Sequence, residues 1–268
     1  MDKLLLEAKF RRMGARVRVA EAPGVDRVRV DVKRDRLGEY FDLAVAPRAG
    51  VWVDAIDVRP RERHLLLMVA DDAAGAPAAT GAKQKFLCGH DERAWFVAAV
   101  PETRKAANVR EAFEALKPPD VRWALADRRV RNRDRNRRRN EAFVRQGEWF
   151  FLPRPSFDVR DGIVLRDEPL RRGNGKPHWA EFLTRTGGEI VYVDRRGRAI
   201  SEVEYRRVLS RNAREASRWT PQRRNMQVMV KGRVSHPDHK TIVLPCWHAV
   251  VMNTESQSVA MRWMAFID

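Results

Sequence analysis

The chain has 268 residues, 44% of them hydrophobic, and 53 Lys and Arg against 36 Asp and Glu give a formal net charge of +17. That apolar share excludes a wholly disordered chain, and the length allows one large domain or two small ones. No run approaches the ~18 consecutive apolar residues of a membrane-spanning helix, and the opening Met1–Glu7 is too short an apolar stretch for a secretory signal, so a soluble, cytoplasmic protein with no membrane partner is expected.

Residues 16–70 alternate as strands do. Arg16–Val19 and Arg27–Val32 show period two, and Tyr40–Val45, Val51–Val58 and His64–Ala70 follow between Gly and Pro punctuation. Such a series suggests an antiparallel meander or small barrel. Residues 71–83 include the small-residue stretch DDAAGAPAATGA, which reads as a linker or as a long hairpin loop inside one sheet. The expected organisation is therefore an N-terminal β-rich region over 1–70, that connection, and a basic α+β region over 84–268. Phe86–Cys88 and Trp95–Val100 read as two strands around the polar turn Gly89–Arg93, a hairpin tip or an acid/base cluster.

A helix is expected over 102–117, where Val109, Ala112, Phe113 and Leu116 recur at helical spacing. Pro118-Pro119 ends it and starts a second helix, expected to run from Asp120 to Gln146 with Gly147 as its stop. Beyond it come strand candidates at Glu148–Leu152, Ile163–Arg166 and Glu189–Val193. Ser201 and Glu204 match a capping box, so a helix starts there with Tyr205, Val208, Leu209, Ala213 and Ala216 as its buried stripe. The last 43 residues read as a three-stranded meander: Met226–Val234, Thr241–Met252 and Ser258–Ile267. The expected fold class is α+β, mainly antiparallel sheets at both ends with a central helical, Arg-rich segment. Cys88 and Cys246 read as small buried residues, since two cysteines make no disulfide framework and no CxxC pair exists.

The charge is unevenly spread: residues 1–100 carry 18 basic against 15 acidic groups, and residues 101–150 carry 14 against 8. The densest point holds Arg128, Arg129, Arg131, Arg133, Arg135, Arg137, Arg138 and Arg139 within thirteen residues. An always-charged guanidinium is too costly to bury unpaired, and packed like charges need counter-charge. Phosphate oxygens suit the planar Arg fork, which points to nucleic acid, RNA or DNA. A solvated helix, or one docked on an acidic protein partner as a subunit of a larger assembly, is the competing reading. Arg207, Arg211, Arg214 and Arg218 make a second basic stripe at helical spacing. Trp149, just after the first run, is a candidate for stacking on single-stranded bases, against the alternative of a core tryptophan.

Four of the six histidines fall in the last third. His178 and Glu181 would lie together if their segment were helical, and His236 and His239 flank a tight Pro-Asp turn. These four are candidate ligands for a divalent metal such as zinc, manganese or magnesium, and define a metal-dependent nuclease or phosphodiesterase as the alternative to a binding protein. The spacing matches no HExxH signature, and turn or surface histidines are the competing reading. His248, on an apolar strand face, reads as a core histidine. Standard nucleotide-binding and serine-hydrolase motifs are missing.

Overall fold

The computed structural model describes residues 2–47, 50–71, 83–159, 162–173 and 175–258. Helix α1 (Lys3–Met13) opens the chain, with the Asp2 carboxylate accepting from Leu5 N–H at its start. Strands β1 (Val17–Glu21), β2 (Val28–Asp35) and β3 (Gly38–Val45) form one sheet in the order β1-β3-β2, with β1 parallel to β3. Strands β4 (Val51–Arg59), β5 (His64–Asp71), β6 (Gln84–Asp91) and β7 (Ala94–Val100) form an antiparallel meander. Val28, Val30, Phe41 and Leu43 of the first sheet share a core with Leu65, Leu67 and Phe86 of the second and with Leu6 and Phe10 of α1. The alternate positions, Leu66 and Leu87, face the other way, against helix α2 (Val109–Ala115). Strand β5 thus buries both faces, and each Leu or Phe so buried contributes roughly 1.5–3 kcal/mol. Residues 72–82, most of the expected linker or loop, lie outside the described residues. The strands on either side pair antiparallel, from His64 with Gly89 to Val69 with Gln84. Helix α2 starts later than its spacing predicts, because Asn108 caps it by accepting from Glu111 N–H.

The long central helix does not form. Helix α3 spans Pro119–Asp127 and stops there. Arg129 takes a left-handed φ of 50°, and Arg129 N–H and Val130 N–H bond back to Ala126 and Leu125 carbonyls. This is a Schellman stop, with Val130 and Leu125 in the same apolar cluster closing it. The Arg run that follows folds as turns. Like charges stacked on one helix face repel, whereas the turns bring Arg133, Arg135, Arg137 and Arg138 to Asp134, Glu114, Asp91 and Glu92.

The rest builds a six-stranded sheet in the order β10-β11-β15-β16-β9-β8. Its strands are β8 (Val144–Gln146), β9 (Trp149–Pro153), β10 (Leu165–Leu170), β11 (His178–Thr186), β15 (Gln227–His236) and β16 (His239–Met252). Inserted between β11 and β15 is a small lobe: β12 (Glu189–Asp194), β13 (Ala199–Ser201), helix α4 (Glu202–Arg211) and β14 (Trp219–Arg224), with its own sheet of order β13-β12-β14. The capping box at Ser201 and Glu204 is formed. The buried stripe is not: α4 buries no residue fully and ends at Arg211, and Ala213–Arg218 is a 3-10 helix. Tyr205 stacks on Tyr192 with ring centroids 3.6 Å apart. Most of the expected last strand lies outside the described residues, and β16 pairs β9 on that side. Cys88 is buried and Cys246 only half-buried. Among the described residues, no helix is long and apolar enough to cross a membrane.

Candidate metal centre

The site begins with a two-residue turn. Pro237-Asp238 joins β15 to β16, so His236 and His239 face each other as a cross-strand pair. Trp179 of β11 pairs with Ser235, which sets His178 beside His236. The rings of His178 and His236 stack with centroids 4.2 Å apart, and His239 lies 5.5 Å from His178 and 4.8 Å from His236. One nitrogen from each ring lies within 4.8 Å of the others. His178 is thereby gathered with the hairpin pair His236 and His239, some 58 residues on, at one end of the sheet.

Gln146 orients His178. Its Nε2 donates to the carbonyls of Val234 (3.2 Å) and Lys240 (2.7 Å), so its Oε1 faces the ring and can only accept. His178 Nδ1, 2.9 Å away, is then the donor, and Nε2 carries the lone pair. That nitrogen faces Glu148 Oε2 at 3.7 Å. Burial pulls the Glu148 carboxyl upward, and its net fall below the ordinary range requires a proton on His178 Nε2, which the neutral ring lacks. Nε2 and the Glu148 carboxylate therefore share one place, for a proton or for a cation between them.

His239 is held neutral. Burial, then the neighbouring His236 and His178, pull it down to about 4. Its Nδ1 is buried without a hydrogen bond, and the nearest carboxylate, Glu92 Oε2, stands 3.9 Å off. Metal-ligating imidazoles direct their second nitrogen at such a carboxylate. Burial and His178 also lower His236. His236 Nδ1 accepts from Asp238 N–H at 3.1 Å, and the ring also bonds the Lys176 backbone. Either nitrogen takes a metal only at the expense of such bonds. They are worth about 0.5–1.5 kcal/mol each, against roughly 10 kcal/mol or more for a zinc site, so a metal there would have to offset that loss.

Gly147, at φ 57°, makes room for the cluster. A Cβ there would lie 2.9 Å from His239 Nε2 and 3.4 Å from His178 Nε2. The site opens on a cavity of about 350 Å³ between the two halves of the chain, lined by Glu148, His236, His239, Arg145 and Lys33 and by the apolar Trp95 and Phe113. The Asp91-Glu92 hairpin tip supports it from the N-terminal half. Arg138 pairs with both carboxylates, Arg145 Nη1 lies 3.4 Å from Asp91, and the Glu92 carboxylate accepts from Lys240 N–H.

The structure thus brings together His178, His236 and His239 but not Glu181. The segment from His178 is a strand, so a residue three positions on is not a neighbour on the same face. Glu181 instead accepts from Arg233 N–H at 2.8 Å. Glu148, Gln146 and Gly147 are the site residues that the sequence reading missed, while Glu92 belongs to the Gly89–Arg93 turn it names as a hairpin tip or an acid/base cluster. A signal existed in Gln-Gly-Glu, a turn motif between two apolar runs, which was read as a helix end. Trp149 is half-buried, with its ring edge-on to His178 at 6.4 Å. In the first Arg run, Arg135 lies 3.2 Å from Glu114 and Arg137 3.0 Å from Asp134. Arg133 stands 3.5 Å from Asp134, Arg128 3.7 Å from Asp127, and Arg139 donates to the Val243 carbonyl. Arg131 and Arg129 are exposed. In the second stripe Arg218 pairs with Glu215 at 3.0 Å, while Arg207, Arg211 and Arg214 stand exposed. His248 is buried, with Nδ1 2.8 Å from the Cys246 carbonyl.

Comparisons of the chain with protein-family models, with curated proteins and with solved structures find no match.

Proposed function

We propose that His178, His236 and His239 hold a divalent transition metal, zinc being the best fit to three imidazoles, and that the protein is a metal-dependent hydrolase of phosphodiesters. The observation that carries this reading is the convergence of three imidazoles beside the Glu148 carboxylate, with one ring tautomer fixed by Gln146. A bound ion of this class polarises a phosphoryl oxygen and acidifies a water. Glu148, beside His178, takes the proton of the attacking water. Arg145 and Lys33, at the cavity wall, supply positive charge to an anionic substrate. Glu92 and Gln146 position His239 and His178.

The test is the metal content of untagged protein together with cleavage of bis(p-nitrophenyl) phosphate. About one ion per chain is expected. His178→Ala and His239→Ala lose it with an unchanged circular-dichroism spectrum. Glu148→Gln keeps the ion and loses cleavage. A wild-type chain that is folded and takes up no zinc, manganese or cobalt on dialysis overturns the proposal.

A further inference from the structure

The inserted lobe has a composition unlike the rest of the sheet that carries it. Residues 189–224 hold ten arginines against five acidic residues, a net +5, and no lysine. Its acids are partly spent on pairs: Glu202 with Arg206 and Glu215 with Arg218. Arg207 and Arg211 on α4 and Arg214 just beyond it stand exposed and make no ion pair with a described residue. The helix that carries the first two buries no residue fully. Its amphipathic character therefore serves the lobe's shape weakly and leaves a cationic outer side.

The lobe also has a defined place. It leaves the sheet after β11 and returns into β15, whose far ends carry His178 and His236. At about 3.4 Å per residue, the run from Thr186 back to His178 spans roughly 27 Å. A nucleic-acid strand advances about 3.4 Å per stacked nucleotide, so about eight nucleotides cover that distance. Discrete small anions cannot reach both ends, but a polynucleotide can.

We propose that the lobe is an exosite that grips the phosphate backbone of a nucleic-acid strand through Arg207, Arg211 and Arg214, at the opposite end of β11 and β15 from the histidine cluster. The inference deepens the hydrolase reading by naming its substrate class, and rests on that reading for the chemistry alone. Guanidinium forks suit phosphate oxygens, and the spacing of the lobe from the cluster favours a long polyanion over a short acidic peptide. Each lost phosphate contact removes about 0.7–0.9 from the slope of log K against log salt. Binding and cleavage then separate by substrate length through effective concentration.

The experiment is fluorescence anisotropy on the full chain with EDTA present, using labelled single-stranded DNA and RNA of about 30 nucleotides over about 50–300 mM salt. The triple variant Arg207→Gln/Arg211→Gln/Arg214→Gln is expected to bind about 10- to 100-fold more weakly near 100 mM salt, with a slope lower by about 2. An equal triple neutralisation at Arg128, Arg131 and Arg133 has a smaller effect. Unchanged affinity in the lobe variant, or no wild-type binding at the lowest salt, overturns the exosite. So does poly-glutamate competing as well as nucleic acid at equal charge, which assigns the lobe to an acidic protein instead. His178→Ala/His239→Ala leaves the anisotropy result unchanged. A folded wild-type chain that takes up no metal yet binds nucleic acid through the lobe therefore overturns the hydrolase reading and leaves the exosite standing.

Discussion

Two arginine-rich segments lie about seventy residues apart and meet different fates. Five of the eight arginines in Arg128–Arg139 reach a carboxylate, on Asp127, Asp134, Glu114, Asp91 or Glu92, though most of them stay exposed. Arg207, Arg211 and Arg214 find no such partner among the described residues and point outward. Charge density in the sequence was higher in the first segment, yet its charge is largely neutralised. A guanidinium run is thus a demand for counter-charge, and the fold decides whether the chain itself supplies it. In the first segment that supply also joins the two halves of the molecule, since Arg138 belongs to one and Asp91 and Glu92 to the other.

The sharpest way to break this comparison is to remove one arginine from each segment. Arg138→Ala leaves two carboxylates, each with a side chain 9% exposed, short of their main cation. It is expected to cost roughly 3 kcal/mol in urea unfolding. Arg211→Ala stays within about 0.5 kcal/mol. Equal losses would show that the two segments are not different in kind.

The next effect tests the site that the first segment supports. Gly147→Ala forces a left-handed φ on a residue with a Cβ and drives that Cβ toward His239 and His178. A loss of about 1–2 kcal/mol and of bound metal is expected, read by thermal unfolding and metal analysis. Wild-type metal content in this variant would remove the glycine from the account.

Smaller still is Ser201→Ala, which opens the capping box of α4 and costs about 1 kcal/mol. Amide exchange should quicken over 202–211 while the six-stranded sheet stays protected, because the lobe packs mostly on itself. Sheet-wide loss of protection would contradict that independence.

The last effect appears only in acid. His64 is packed edge-on to Phe96 and Phe113, and burial first, then Arg145, lower it to about 4. The unfolded chain takes up this proton near 6.5 and the folded one does not. Stability from His64 is therefore complete above about pH 6.5 and falls as pH drops toward 4. His64→Leu should flatten the fall of melting temperature over that window, and an unchanged acid limb would assign it to other groups.

Much of the fold was legible because period-two alternation reports a half-buried strand directly, as in Arg16–Val19 and Arg27–Val32. The end of α3 was not, because the left-handed stop falls on Arg129 and no glycine announces it. The lobe's helix start was visible in Ser201 and Glu204, but its packing was not, since half-buried Tyr205 and Val208 read like core positions. At the site, the three histidines were visible as residue types. Their convergence depended on strand order β11-β15-β16, a long-range pairing that no local pattern encodes. Glu181 was chosen on helical spacing, and the strand turned it away. Glu148 was hidden by the turn that was read as a helix end.

The most direct measurement is the visible spectrum of untagged protein titrated with cobalt(II) after dialysis against a chelator. The histidine cluster predicts intense d–d bands that saturate at about one equivalent, vanish in His178→Ala/His239→Ala, and are displaced by zinc. A spectrum indistinguishable from hexaaquo cobalt, given by folded wild-type protein, would contradict the metal centre and leave the three imidazoles as a stacked structural cluster.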